Sequence, residues 1–438
     1  MIGLATLGLN RTRIAGWTVS DLVFLLAAGI VCLKLLSGRA ADLAPPAMRK
    51  SSPPILLGTL VLVIAGTLSS FQSFEPMTSI VMVVRIVWIT LAWFWVLRAV
   101  SPNRDTLHRL LRGFRITVVV SCLGGLAGYL GFVALTPANR ENREAAFFNH
   151  PNELGGLIAM ALPFIVLGVL QTRGRRGDAT WRRLALAMLA IFALGTTGSI
   201  TAFLSAIAGG CTLVAVIWLT SVDRPRRRRS PLPYMFGAMA LAGGVLWLAG
   251  SELPVVERFT QIGAGGDVSD SIGSREELNA YVINNLDNSL IVGVGLDADT
   301  RSLGDETGMD DGASRVHNLY LKLLYEAGVP GLVGLFIVIA TAFRQSWRLV
   351  VNTRGTELYP TAVALLSALV TVNVFALFQP LFVQRYYWLP VGLVGVLWAL
   401  RRQESSEEAG AAPPQWAAAR PRRPLPPPPA SRALDRPR

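Results

Sequence analysis

The chain is divided into apolar blocks of roughly 18–22 residues, each long enough to cross a hydrocarbon core of about 30 Å as a helix. The blocks are apolar all round rather than striped, as helices are in lipid or in a bundle core. Of the 438 residues 52% are hydrophobic and 16% charged, too oily a balance for a soluble chain of this length. A backbone in lipid must satisfy its own hydrogen bonds, so the blocks predict an all-α polytopic membrane protein. Eleven spans are expected, within a range of 10–12: residues 17–36, 55–71, 80–97, 116–135, 154–170, 184–197, 201–220, 233–249, 330–343, 360–381 and 386–400. The first is long for a signal peptide, and Gly38-Arg39-Ala40 after it is no clean cleavage site, so it is read as retained. Cys32, Cys122 and Cys211 fall inside blocks and are expected as buried free thiols.

A net charge of +13 raises the question of nucleic acid, but most arginines cluster immediately beside apolar blocks. Twenty-nine of the 41 basic residues fall on one set of alternating connections, which marks that side as cytoplasmic. On the other side, residues 251–328 hold fourteen acidic residues against five basic ones. This reading puts the C-terminus in the cytoplasm of a bacterial cell and the main loop outside. Eleven spans then leave the N-terminus outside, against the preference of Arg11 and Arg13; a missed span or a start placed too late would resolve this. The expected organisation is an N-terminal segment (1–16), spans 1–8 (17–250), an extracytoplasmic loop domain (251–329), spans 9–11 (330–400) and a disordered Pro/Arg-rich tail (401–438).

Polar residues in such a chain need a reason. Arg85 sits in the third span, roughly 9 Å from its outer end at 1.5 Å per residue, either snorkelling or contacting an anion from the bundle interior. Lys34 is placed to snorkel. Residues 136–155 carry Arg140, Arg143, His150 and Asn152, with Asn152 a plausible helix N-cap. In the main loop Ser274 and Glu277 suggest a capping box that puts Arg275 at a helix start, where a cation favours a bound anion over the dipole. His317, beside Arg315, is expected to cap an interfacial helix ending at Gly328, before Pro330 opens the ninth span. A structural contact is the competing reading of His317.

The runs FFNHPNELGGLIAMALP, TGSITAFLSAIAGG, Arg275 with DNSLIVGVG, and HNLYLKLLYEAGVPGLVGL resemble, in order and spacing, the O-antigen ligase and polymerase superfamily. The resemblance is close over about residues 147–335, and the HNLYLKLLYEAGVPG run is its most specific part. It implies a GT-C-like bundle and a membrane glycosyltransferase of the cell envelope, serving polysaccharide biosynthesis. The donor would be a glycan on undecaprenyl pyrophosphate, passed to a glycan, lipid or protein acceptor hydroxyl outside the membrane. It implies no cofactor and no metal, with outward-facing Arg and His residues doing the chemistry. The sequence departs from the family twice: no arginine follows Ser199, and Ser289 replaces the usual proline before the Gly-x-Gly turn.

A pyrophosphate leaving group needs positive charge where negative charge develops, and arginine offers a bidentate fork. Arg275, Arg85, Arg315 and Arg140 are the expected donor-binding residues, with Arg258 behind them, His317 the catalytic residue, and Asn318 and Asn152 in support. An imidazole titrates where a base for the acceptor hydroxyl should. Two alternatives stand beside this reading. Asp297-Ala298-Asp299 with Asp305, Glu306, Asp310 and Asp311 could hold a divalent ion for a metal-dependent transferase. A transporter or flippase for a lipid-linked saccharide would place its polar residues near the midplane of several spans.

Overall fold

The computed structural model describes residues 13–14, 17–38, 43–44, 52–101, 103–132, 143–171, 178–220, 253–262, 267–297 and 316–410. Apart from a two-residue ladder of Arg13–Ile14 (β1) against Trp17–Thr18 (β2), their regular structure is helical. The helices are α1 (Val19–Leu36), α2 (Pro53–Ser70), α3 (Pro76–Val87), which continues through a π-helical turn (Trp88–Trp93) into α4 (Phe94–Ala99), and α5 (Arg104–Tyr129). Then come α6 (Pro151–Gln171), α7 (Asp178–Thr196), α8 (Ile200–Thr220), the short α9 (Pro254–Thr260), α10 (Asp267–Asn284) and α11 (Leu286–Ser289). The last three are α12 (Leu319–Asn352), α13 (Tyr359–Ala376) and α14 (Arg385–Gly410).

Among the described residues, eight helical stretches are long and apolar enough to cross a membrane: α1, α2, the continuous 76–99 helix, α5, α6, α8, α12 and α13. The sixth and eleventh expected spans are helices too, but arginines at their ends shorten the apolar run of α7 (Arg182, Arg183) and α14 (Arg385, Arg401, Arg402). The eighth expected span, 233–249, lies outside the described residues. So does the tail after Gly410.

Lipid gives apolar side chains little reason to leave it, so helices here associate by close packing of backbones. The clearest case is α2 against α12: a Cβ at Gly58 would stand 2.7 Å from the Gly334 carbonyl oxygen, and one at Gly334 2.7 Å from the Leu62 nitrogen. Leucines on the lipid side of α1, such as Leu26 and Leu33, stay exposed.

Several boundaries differ from expectation. The fourth span begins at Arg104, not near 116, because Asn103 caps the helix by accepting from the Thr106 N–H and Leu107, Leu110 and Phe114 bury its apolar side between the arginines. The helix of the last span runs ten residues past Leu400, where Glu404 pairs with Arg104 and Arg401. Helix α10 starts at Asp267, so Ser274 and Glu277 form no capping box and Arg275 lies inside the helix. All three cysteines are free, but only Cys122 is buried; Cys32 is exposed on α1.

The largest difference is in α12. Gly328 adopts φ 66°, a conformation suited to glycine, and breaks the helix there. The stretch before it does not lie flat on a surface but bends back along the stretch after it: the Tyr320 ring stacks on Phe336 at 5.7 Å and 13°. The Gly-rich turn clamps this elbow, with Val294 N–H on Tyr325 O (3.1 Å), Gly295 N–H on Glu326 O (3.0 Å) and Val329 N–H on Leu290 O (2.8 Å).

Candidate active site

Helices α6, α8 and α12 begin at the same end of the bundle at which α7 and α13 finish, and their terminal polar residues meet there. At the start of α6 the His150 ring, not Asn152, does the capping: its Nδ1 accepts the Asn152 N–H at 3.1 Å. The Asn152 side chain is thereby left to accept from Arg143 Nη2 at 2.8 Å, while Arg143 Nε donates to Thr197 O at 3.0 Å. Arg143 thus lies over the turn between α7 and α8, packed on Gly198 alongside Pro254. A guanidinium does cover the turn that lacks an arginine after Ser199, delivered by a different segment.

Arg275 is half-buried on α10, and among the described residues it makes no hydrogen bond or ion pair. Burial first, and the neighbouring Arg258 of α9 second, lower its pKa from the ordinary arginine value. Both effects work against the charged form, and an anion bound there would work for it. One turn along α10, Leu278 and then Val282 pack with Val316 and Tyr325, so the arginine helix is docked on the residue preceding His317. His317 is half-buried. Asn318 is the actual cap of α12, its Oδ1 accepting from the Tyr320 and Leu321 N–H groups at 3.0 and 3.1 Å, so His317 is free of the capping role expected of it.

Arg85 lies nine residues into α3, about 14 Å at 1.5 Å per residue and deeper than expected. It is half-buried, with no hydrogen bond or ion pair among the described residues. One turn below it the Trp88 indole donates to Asp21 Oδ1 at 3.2 Å, and the same carboxylate binds Arg385, whose Nε donates at 3.1 Å. Arg315 and Arg140 lie outside the described residues, as does the acidic stretch from Ala298 onward. Asp297, at its start, stands 3.7 Å from Lys322 Nζ, which also pairs with Glu326 at 2.7 Å. Among the described residues no group of three His, Cys, Asp or Glu could hold a metal ion.

Several polar residues here escape a reading by motif. Tyr320 donates to Asn373 Oδ1 at 2.9 Å, and Gln384 donates to Glu153 Oε1 at 2.6 Å. Tyr386, two residues after Gln384, has a buried hydroxyl with no hydrogen-bond partner among the described residues. Aromatic and amide residues at span ends look like an interfacial belt in sequence; only the fold shows them turned inward. Asp21 did carry a signal, as a carboxylate in an apolar block.

Residues 185–336 match a protein family described as O-antigen ligase. The chain is O-antigen ligase-like over that stretch. No curated protein matches it. The O-antigen ligase match takes in most of α7, all of α8 to α11 and the elbow of α12, and with them Arg258, Arg275 and His317. Arg85, Arg143, Glu153 and Arg385 come from segments outside it. The apolar helices support a membrane protein, and the match likens residues 185–336 to a family of polysaccharide biosynthesis.

Proposed function

We propose that the protein is a glycosyltransferase that moves a glycan from undecaprenyl pyrophosphate to an acceptor hydroxyl at the outer face of the bacterial cytoplasmic membrane. The observation that carries this is the half-buried Arg275, with no ion pair among the described residues, on a helix docked through Leu278 and Val316 beside His317. Glycosyl transfer from a pyrophosphate asks little of the protein beyond alignment and a home for the charge that leaves. A guanidinium with no ion pair among the described residues suits a pyrophosphate, and an imidazole near it suits the anomeric centre. Arg85 is assigned to the same lipid-linked donor from within the bundle. Arg315 and Arg140 are assigned to its headgroup from their place in the sequence. The charge asymmetry of the connections supports an outward-facing loop and a cytoplasmic C-terminus. The reading needs no cofactor and no metal. The loop 251–329 serves as the unit that presents Arg275 and His317 to the bundle, though Gly295 is wedged against Ser73 and Ser79.

The test is purified protein in nanodiscs given a polyprenyl-pyrophosphate glycan and an acceptor. Arg275→Ala should lower kcat/KM about 10²–10³-fold, the usual cost of removing one preorganised charge-stabilising group. His317→Ala should lower kcat at least tenfold. Full activity in both, with loss on chelation, would overturn the scheme in favour of a metal-dependent one.

A transporter or flippase of the same lipid-linked saccharide is the second reading. The observation favouring it is the Asp21–Arg385–Trp88 layer inside the bundle. Translocation of labelled donor by proteoliposomes without release of polyprenyl pyrophosphate would support it.

A further inference from the structure

We infer that Glu153, Gln384 and Tyr386 form the subsite for the acceptor, a sugar or polyol hydroxyl, and that the Glu153 carboxylate takes that hydroxyl's proton. This rests on the glycosyltransferase reading above. Glu153 stands on the first turn of α6, next to Asn152, whose side chain holds the Arg143 guanidinium at 2.8 Å. One helical turn therefore presents a cation on one residue and a carboxylate on the next. These are the two groups needed on either side of an anomeric carbon. The carboxylate is positioned by both oxygens: Oε1 accepts from the Gln384 amide at 2.6 Å, Oε2 from the Asn149 N–H at 3.3 Å.

An independent observation points to a ligand. The Tyr386 hydroxyl is buried and has no hydrogen-bond partner among the described residues, and it lies within electrostatic reach of Glu153. It stands 3.0 Å from where a Cβ of Gly156, one turn along α6, would be. Buried polar groups are ordinarily satisfied, so an orphan hydroxyl beside an oriented carboxylate describes a place shaped for something carrying its own hydroxyls. A sugar hydroxyl, donor and acceptor at once, completes it.

In the reaction the acceptor oxygen forms its bond to the anomeric carbon while its proton passes to Glu153. The bond from that carbon to the pyrophosphate oxygen breaks, its electron pair leaving on the pyrophosphate, and Glu153 later returns the proton to water. This leaves His317 and the arginines to the donor.

The test compares wild type, Glu153→Gln, Glu153→Asp and Tyr386→Phe in nanodiscs, with thermal unfolding as a check on the fold. Glu153→Gln should lose about a hundredfold in kcat while donor KM stays within about threefold, the scale of a lost general base. Glu153→Asp should recover part of it, and Tyr386→Phe should raise acceptor KM about fivefold with donor KM unchanged. An active Glu153→Gln, or one whose loss lies in donor KM, would overturn this inference alone. A wild-type protein that transfers nothing would overturn the parent reading and this one with it.

Discussion

Arg275 holds its charge against both burial and the nearby Arg258. An anion that binds there should stabilise the fold by mass action. Inorganic pyrophosphate should therefore raise the unfolding temperature of wild-type protein and leave Arg275→Ala unmoved; an equal shift in both would place the anion elsewhere. Arg275→Lys keeps the charge but loses the fork, so it should recover only part of the activity. At this scale the sequence displays residue types but not their assignments. Asn152 and His317 both look like caps, yet His150 and Asn318 do the capping. The choice was made by Arg143, which reaches Asn152 across a segment whose contacts no local pattern encodes.

The helices follow from hydrophobic blocks, which is why ten of the eleven expected spans coincide with described helices, α5 and α12 with displaced ends. The displaced boundaries have local causes: in α5 arginines on one side of the helix hide an apolar stripe on the other, and at the end of α14 Glu404 pairs with Arg104 and Arg401. The elbow of α12 was half legible, since Gly328 and Pro330 signal a break but not its direction. Gly328→Ala should be strongly destabilising: φ is 66° and a Cβ would meet the Ile291 carbonyl oxygen at 2.6 Å. A normal unfolding temperature with normal transfer activity would show that the elbow is not needed. Asp21 joins α1 to α14 through Arg385 while fully buried. Removing one partner of such a pair costs about 3–5 kcal/mol, whereas replacing both by apolar residues costs far less. Asp21→Leu should thus unfold at lower temperature than the Asp21→Leu, Arg385→Leu double variant, and the reverse order would contradict a structural role for the pair.

For the whole molecule, the bundle sets one end apart. Phe24 packs tilted against Trp93 with ring centroids 4.1 Å apart, and Val31 clusters with Ala99, so α1 runs beside the lower half of the third span and Asp21 lies level with Trp88. That level is twelve residues, about 18 Å, along the helix from Pro76. The starts of α1 and α14 are therefore recessed below the tip of the α2–α3 hairpin. The block pattern made the described helices legible, but not the recess, because it depends on where unequal helices begin relative to one another. The central claim is that lipid-linked glycan is consumed at the Arg275–His317 end of the bundle rather than carried past it. The most direct measurement supplies a labelled polyprenyl-pyrophosphate glycan and an acceptor to proteoliposomes of known orientation, from the loop side alone. The account predicts labelled product and free polyprenyl pyrophosphate with wild type, and neither with Arg275→Ala. Labelled donor appearing intact in the opposite leaflet, with no pyrophosphate released, would contradict it.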